Sequence, residues 1–268
     1  MRPDAGRAAL AVVNTLVIGL MLLPVVFVAW TAFYDSRFLT FPPPGYTGQW
    51  FGAALQREAF LNGFVTSVKV GLMASAAGVV IGTAASLVLQ RGRVRGANLI
   101  QTFLLSPLMV PNIVLGIALY LFFLWVADHA GIDLSAGIAG LTLAHTLLTL
   151  PWTIRLVSAN LVGLDRSIEE AAMNLGASPV RTFFLVTLPQ LRAGMIAATL
   201  FSFIVSFENL EISLFLAGPG ASTFPIALMQ YLEFNMDPTG AAASTLQVVL
   251  IATLLVITDR YIKLSRVV

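Results

Sequence analysis

Six long apolar stretches constrain this chain more than any other feature of its 268 residues. Each has about 20 residues or more, enough for a helix to cross about 30 Å of hydrocarbon. None alternates like a barrel strand, and a segment in lipid must satisfy its own backbone hydrogen bonds, so we interpret all six as helices. They cover residues 9–33, 61–89, 98–126, 136–158, 193–217 and 243–262. The sequence therefore predicts an all-α integral membrane protein with six transmembrane helices, forming one domain over residues 1–268.

Composition excludes several other classes of protein. The chain is 58% hydrophobic and only 10% charged, whereas soluble domains carry about 25% charged residues. It has no cysteine and two histidines, which excludes a disulfide framework and an iron–sulfur cluster and leaves little for a metal centre. We find no catalytic grouping of serine, histidine and carboxylate, so we expect neither an enzyme nor a bound metal. The net charge of +2 comes from scattered single residues and does not indicate nucleic-acid binding.

The basic residues between the apolar stretches indicate the orientation in the membrane. Cytoplasmic segments are enriched in arginine and lysine. If the N-terminus is cytoplasmic, the outside segments hold only Arg37 and Arg57, with Lys69 a little way into the second span. The inside segments then hold Arg2, Arg7, Arg91, Arg93, Arg95, Arg155, Arg166, Arg181, Arg192, Arg260, Lys263 and Arg266. We therefore expect both termini to face the cytoplasm.

The polar loop at residues 165–191, between the fourth and fifth stretches, has clear helix boundaries. Ser167 followed three residues later by Glu170 predicts a capping box and a helix that starts there. Gly176 predicts its end, because glycine accepts the left-handed conformation of a helix terminus. Ser178 and Pro179 predict the cap and first residue of a second short helix, which runs towards Leu188-Pro189. Two short helices joined at a glycine would form a compact elbow suited to docking in a partner.

The spacing within this elbow resembles the EAA signature of ABC importer permeases. The residues are Glu170-Ala171-Ala172, three residues, Gly176, nine residues, and Val186-Thr187-Leu188-Pro189. The resemblance implies a type I ABC importer permease in which the elbow is the coupling segment that seats in a separate ATPase subunit. The residues that we assign to this coupling are Glu170, Ala171, Ala172, Gly176, Ser178, Pro179, Leu188 and Pro189.

The same resemblance implies the partners. The chain has no phosphate-binding loop of the G-x-x-x-x-G-K-[ST] type, so ATP and magnesium would be bound by the partner ATPase and no cofactor by this chain. A second permease subunit, expected to be a paralogue, would complete the pathway in the bacterial inner membrane. Two ATP-binding cassette subunits would lie below it. An extracytoplasmic substrate-binding protein would dock on the loops at residues 34–60 and 218–240.

A second resemblance, over nearly the whole chain, is to permeases of the spermidine/putrescine type. It is carried by Asn62-Gly63-Phe64, Pro107-Leu108-Met109-Val110-Pro111, Ala144-His145, Ser206-Phe207-Glu208-Asn209 and Met236-Asp237-Pro238. It implies a small organic cation as substrate. Where the family often has two acids after the phenylalanine, this chain has Glu208-Asn209, so an amino-phosphonate, an opine or an amino-acid derivative stays an alternative. A self-sufficient secondary transporter would usually show two related halves with broken helices, which the sequence does not indicate.

Two acids in the fifth stretch are the strongest candidates for the substrate pathway. Glu208 and Glu211 lie three residues apart, on one face of the predicted helix, and no lysine or arginine occurs in residues 193–217. A charge at such depth costs about 2.5–3.5 kcal/mol on insertion scales, so these acids should face a cavity or a partner. The alternative is interhelical hydrogen bonding with one carboxyl protonated. We assign Asn209, Asn112 and His145 to the same pathway.

For His145 the alternative is an ordinary hydrogen-bond partner inside the helix bundle, which is the more usual role of a lone histidine in a helix.

Overall fold

The computed structural model describes residues 5–38, 40–92 and 94–262, and this part of the chain is almost entirely helical. Its extended segments pair only at one isolated antiparallel bridge, between Tyr34 and Tyr46. In chain order the helices are α1 (Ala5–Thr31), α2 (Gln49–Gln56), α3 (Glu58–Arg91), α4 (Ala97–Leu105), α5 (Asn112–Ala130), α6 (Ile138–Val162), α7 (Arg166–Asn174), α8 (Pro179–Thr182), α9 (Leu188–Phe207), α10 (Glu211–Leu216), α11 (Phe224–Phe234) and α12 (Thr239–Ile262). The predicted all-α fold is confirmed.

Within the described residues, five helical segments are long and apolar enough to cross a membrane. They are α1, α3, α5, α12 and the continuous segment Pro179–Glu208, which contains α8 and α9. A sixth candidate span is α6 counted together with α7, from which it is separated by a bend of 69°. These segments agree with the predicted six-span architecture, because helices satisfy their backbone groups internally and so suit a lipid environment.

The third predicted span, residues 98–126, is not one continuous helix. α4 is followed by a 3₁₀ turn at Ser106–Met109, and α5 begins only after Pro111. Pro107 and Pro111 have no backbone N–H, and the residue before a proline avoids the helical conformation. Val110 accordingly has extended backbone angles, with φ −92° and ψ 130°. The span therefore starts at Asn112, and the short α4 precedes it.

The fifth predicted span, residues 193–217, is also broken. α9 ends at Phe207 and α10 begins at Glu211. The amide side chain of Asn209 accepts a hydrogen bond from the backbone N–H of Ile212 at 3.0 Å. A short polar side chain that competes in this way for backbone hydrogen bonds favours a new helix start over continuation of the first helix. The prediction that Glu208 and Glu211 share one face of a single helix is therefore wrong.

The described chain divides into two compact units. The first contains α1, α2, the loop between them and residues 228–250. In that loop the indole N–H of Trp50 donates to the carbonyl of Tyr34 at 2.7 Å, and the N–H of Asp35 donates to the carbonyl of Gly45 at 3.0 Å. These bonds give the loop an ordered structure without a sheet. The apolar central window of α1 has no buried residues, as expected for a helix that meets lipid.

The second unit runs from Asn62 to Ala227 and includes the described residues after Leu250. Its core lies where α6 packs along α9 and where α5 packs on α10. Close helix approach depends on glycine at two positions. A Cβ at Gly82 would lie 2.6 Å from Cγ2 of Thr153, and a Cβ at Gly116 would lie 3.1 Å from Cα of Ile212. Small residues of this kind let membrane helices pack backbone to backbone.

Candidate coupling elbow and polar break

The first arm of the elbow is α7, and Asp165 caps it rather than Ser167. The Asp165 carboxylate accepts a hydrogen bond from the N–H of Ser167 at 2.9 Å. The predicted capping box is therefore wrong by two residues, because a carboxylate is an equally good cap and is also favoured by the helix dipole. Hydrogen bonds from Ser167, from its backbone first and then its hydroxyl, lower the pKa of the Asp165 carboxyl. Glu170 instead lies 3.8 Å from Nε of Arg166, on the exposed face of α7.

α7 ends just before Gly176, as the sequence predicted, and the end has the geometry of a Schellman motif. Gly176 has φ +94°, in the left-handed region. Its N–H donates to the carbonyl of Met173 at 2.9 Å, and the N–H of Ala177 donates to the carbonyl of Ala172 at 3.1 Å. This pair of bonds defines the motif and satisfies carbonyls that a helix end would otherwise leave free. The predicted bend at Gly176 is confirmed.

The second arm begins as predicted but does not stay short. Ser178 caps α8 by accepting a hydrogen bond from the N–H of Arg181 at 3.3 Å, and Pro179 is its first residue. α8 then continues through a π-helical turn, Phe183–Thr187, directly into α9. The prediction of a separate second helix ending near Pro189 is wrong. The second arm of the elbow is the first part of the fifth span.

The helix continues through Pro189, which lies in the first turn of α9 directly after the π-helical turn. Proline has no N–H to donate to the carbonyl four residues back and crowds that turn. A π turn widens the helix locally, and both prolines and π turns are places where helices depart from regular α geometry. The side-chain amide of Gln190 donates to the carbonyl of Val186 at 3.0 Å, which supplies a partner within the turn.

The outer surface of the elbow is apolar at its tip. Leu175 is 90% exposed and Val180 67% exposed in the single subunit. Apolar side chains presented this way mark interaction sites. Of the residues assigned to coupling, the structure leaves Glu170, Ala171, Gly176, Ser178, Pro179 and Pro189 exposed and Ala172 and Leu188 partly buried. Their arrangement is suited to docking an apolar tip in a complementary groove.

Glu169, which the sequence did not single out, makes the main polar contact of the elbow. One carboxylate oxygen lies 3.3 Å from Nε of Arg91, and the other accepts a hydrogen bond from the hydroxyl of Thr187 at 3.0 Å. The side chains of Arg91 and Glu169 are only 21% and 14% exposed. The sequence signal was an acid beside the signature and an arginine closing the second apolar stretch. Nothing in their spacing could have paired them.

His145 lies at the centre of the break in the fifth span. Its ring is 1% exposed, with Nδ1 2.7 Å from the hydroxyl of Ser206 and Nε2 3.1 Å from the hydroxyl of Ser213. Ser206 is in the last turn of α9 and Ser213 is in α10, so the imidazole bridges both sides of the break. This geometry supports the alternative role of His145 as a hydrogen-bond partner.

The other pathway candidates lie around the same break. Asn209 is buried, and besides capping α10 its side-chain amide donates to Glu211 at 3.4 Å. Glu208, the C-terminal cap of α9, and Glu211 are exposed in the single subunit. Asn112, partly buried, opens α5, and a Cβ at Gly116, one turn further on, would lie 3.2 Å from the carbonyl of Glu211. The structure therefore brings the start of α5 close to the start of α10.

Comparison with known proteins decides the family. A family model described as binding-protein-dependent transport system inner membrane component matches residues 78–265. The chain belongs to this family. It is therefore a multi-pass inner membrane component of a transport system rather than an enzyme, and the predicted permease role is confirmed. The description also excludes the self-sufficient secondary transporter.

Several curated relatives of this permease are transport proteins from bacteria. It is 34% identical over 203 residues to the putrescine transport system permease protein PotI of Escherichia coli, covering 75% of this chain and 72% of PotI. It is 26% identical over 236 residues to the spermidine/putrescine transport system permease protein PotC of the same organism, covering 88% and 87%. It is also 30% identical over 216 residues to the molybdenum transport system permease protein ModB of Mycobacterium bovis, covering 77% and 81%.

Solved structures of ABC transporters share the fold of this permease. A bacterial ABC transporter involved in the import of the acidic polysaccharide alginate matches with a TM-score of 0.71 at 12% identity, over 97% of this chain and 99% of that one. The inward-facing MetNI methionine ABC transporter matches with a TM-score of 0.62 at 20% identity, over 78% and 96%. The permease fold that the resemblance to ABC importer permeases implied is thus confirmed.

Proposed function

We propose that this permease forms half of the translocation pathway of an ATP-driven importer for a small organic cation, with putrescine and spermidine as the first candidates. The observation that carries the proposal is the break between α9 and α10, where Glu208 and Glu211 are exposed on the single subunit. Residues 193–217 contain no basic residue to neutralise them. Intramembrane acids without a basic partner are typical of pathways for cations.

The two acids differ in what surrounds them. Glu211 accepts a hydrogen bond from the side chain of Asn209. Among the described residues, no side chain forms a hydrogen bond or an ion pair with Glu208. It lies at the C-terminal end of the 20-residue α9, where the helix dipole is negative and disfavours a further negative charge. An ammonium group would relieve this unfavourable charge. Glu208 should therefore contribute more to cation binding than Glu211.

The relatives support a polyamine substrate without restricting the family to it. PotI and PotC are named for putrescine and spermidine, but ModB is named for molybdenum. Asn209 replaces one of the two acids that polyamine permeases often have at this point. The second candidate is therefore the same transport role for another small solute, such as an amino-phosphonate, an opine or an amino-acid derivative.

We further propose the assembly that the EAA signature implies. The two compact units would act as one permease domain paired with a second permease subunit, expected to be a paralogue. Two ATPase subunits would hold ATP and magnesium, and this chain would bind neither. The elbow at residues 165–191 and both termini would lie on the cytoplasmic side, where arginine and lysine are concentrated. A substrate-binding protein would deliver the solute from the opposite side.

The test is uptake of radiolabelled putrescine by membrane vesicles that contain the complete importer. We expect Glu208→Gln to lower uptake about tenfold or more, as loss of a charge-assisted hydrogen bond implies, and Glu211→Gln to lower it less. Asp259→Asn removes an exposed acid near the end of α12 and is the matched control, with uptake unchanged. Full uptake by Glu208→Gln, or equal loss in all three variants, would contradict the cation pathway.

A further inference from the structure

Arg91 contacts both the end of α6 and the first arm of the elbow, α7. Arg91 is the last residue of α3. Its Nη2 donates to the carbonyls of Leu161 and Leu164, at 3.4 and 3.3 Å, where α6 ends. Its Nε lies 3.3 Å from the carboxylate of Glu169 on α7. A guanidinium suits this position, because its planar set of donors can serve several acceptors and its charge complements a helix C-terminus.

Glu169 extends the connection to a fourth element. Its second carboxylate oxygen accepts a hydrogen bond from Thr187, which is buried in the π-helical turn between α8 and α9. One carboxylate thus joins the first arm of the elbow both to α3 and to the lower part of the fifth span. By contrast, the ion pair of Glu170 with Arg166 is solvent-exposed and lies within one helix, where such pairs contribute little.

An open pocket of about 220 Å³ lies beside these contacts, between the elbow and α3. Its lining includes Leu87, Met173 and Phe183, together with the polar residues Arg91, Glu169 and Thr187. Beside this pocket, Glu169 joins the elbow to α3 by the ion pair with Arg91 and to the π-helical turn by the hydrogen bond from Thr187.

We infer that Glu169 is a positioning residue for energy coupling: through Arg91 and Thr187 it makes the elbow move as one body with the second and fifth spans. The inference rests on the coupling role proposed for the elbow, and it assigns the transmission to the acid that precedes the EAA signature. If Glu169 loses these contacts, the elbow can still bind the ATPase, but its displacement is no longer passed on to the spans.

The first test is the number of putrescine molecules imported per ATP hydrolysed, measured on the assembled importer in proteoliposomes. Glu169→Gln removes the charge that faces Arg91, and Thr187→Val removes the hydroxyl while keeping the shape of the side chain. We expect both variants to keep most of the ATPase activity and to lower this ratio about fivefold or more. Thr187→Ser, which keeps the hydroxyl, should restore the ratio. Parallel loss of transport and hydrolysis would indicate a folding role only and would overturn the inference.

Arg91→Gln completes the same series, with Arg95→Gln as its matched control. Arg95 is exposed and four residues further along the chain, so its loss should leave the ratio unchanged. Because Arg91→Gln and Glu169→Gln both remove the Arg91–Glu169 contact, the loss in the double variant should be smaller than the sum of the two single losses. Additive losses would contradict a shared contact.

The closing experiment needs no transported solute. The chain has no cysteine, so spin labels can be placed on α3 and α7 through Val88→Cys and Asn174→Cys. With the ATPase subunit and ATP bound, we expect one narrow distance distribution in the otherwise unchanged chain and a broad one with Glu169→Gln. If the chain with Glu169→Gln gave the same narrow distribution, the role of Glu169 would be overturned, while the coupling role of the elbow would stand. Failure of the ATPase to bind either chain would instead overturn the coupling role of the elbow.

Discussion

The elbow and the break in the fifth span both interrupt helices, but by different means. The elbow is built from groups close in sequence, since Asp165 and Ser178 cap its helices and Gly176 turns the chain between them. The break at residues 208–210 has a local cap, from Asn209 to Ile212, but its two sides are also joined by His145, which is 61 residues away from Ser206 in the chain. An interruption with local caps keeps its shape when it moves. An interruption held by a distant side chain is sensitive to how the helices around it pack.

The largest effect that we expect in this comparison comes from His145→Ala. The substitution leaves two buried hydroxyls without their imidazole partner and opens a cavity between α6 and α9, so it should destabilise the protein by about 2–4 kcal/mol. Thermal unfolding in detergent measures this loss. The other histidine of the chain, His129, is 55% exposed, and His129→Ala should change stability by less than about 0.5 kcal/mol. Equal losses of stability from His145→Ala and His129→Ala would show that the break does not depend on the buried imidazole.

Gly176→Ala tests the elbow in the same way and should have a smaller effect. A side chain in the left-handed region costs about 1–2 kcal/mol, so the affinity for the ATPase subunit should fall roughly tenfold. Gly163→Ala is the control, because Gly163 has φ −76° and a Cβ there would lie 3.5 Å from its nearest neighbour. Titration of the ATPase subunit onto both variants measures the difference. An elbow that binds equally well with alanine at residue 176 would not depend on the Schellman motif.

The smallest effect concerns acid pH and the cap of α7. Hydrogen bonds from Ser167 lower the pKa of Asp165 below its ordinary value of 3.8. The stabilisation by this carboxylate is therefore fully present above that value and is lost as the pH falls through the lower pKa of the folded state. We expect cleavage of the elbow by pepsin to increase over that range. Asp165→Asn keeps the hydrogen-bond acceptor without titrating, so an identical pH profile in this variant would exclude Asp165 as the cause.

Local signals predicted the elbow well. The positive φ of Gly176 and the cap at Ser178 followed from the residue types alone, because both depend on neighbours within a few positions. The start of α7 was misplaced because Asp165 and Ser167 are both good caps. The end of the second arm was misplaced because Pro189 is a strong stop signal, whereas in the structure it lies in the first turn of α9 and the helix continues.

Two features could not be predicted from local signals: the break between α9 and α10, and the contacts of Glu169 with Arg91 and Thr187. Hydropathy treats residues 193–217 as one stretch, and the side chain that joins the two sides of the break, His145, belongs to another helix. The pairing of Glu169 with Arg91 joins residues 78 positions apart, so it exists only in the folded chain. Sequence singled out the two acids of the fifth apolar stretch, but only the fold distinguishes Glu169 from Glu170.

Cross-linking from the tip of the elbow tests the central claim most directly. Leu175→Cys would be the only cysteine in the chain, and Leu175 is 90% exposed in the single subunit. We expect a short bifunctional reagent to join it to the ATPase subunit, and a membrane-impermeant maleimide added outside intact spheroplasts to leave it unmodified. Phe41→Cys, in the exposed loop between α1 and α2, should show the reverse. Labelling of Leu175→Cys from outside, without any cross-link to the ATPase, would contradict the account.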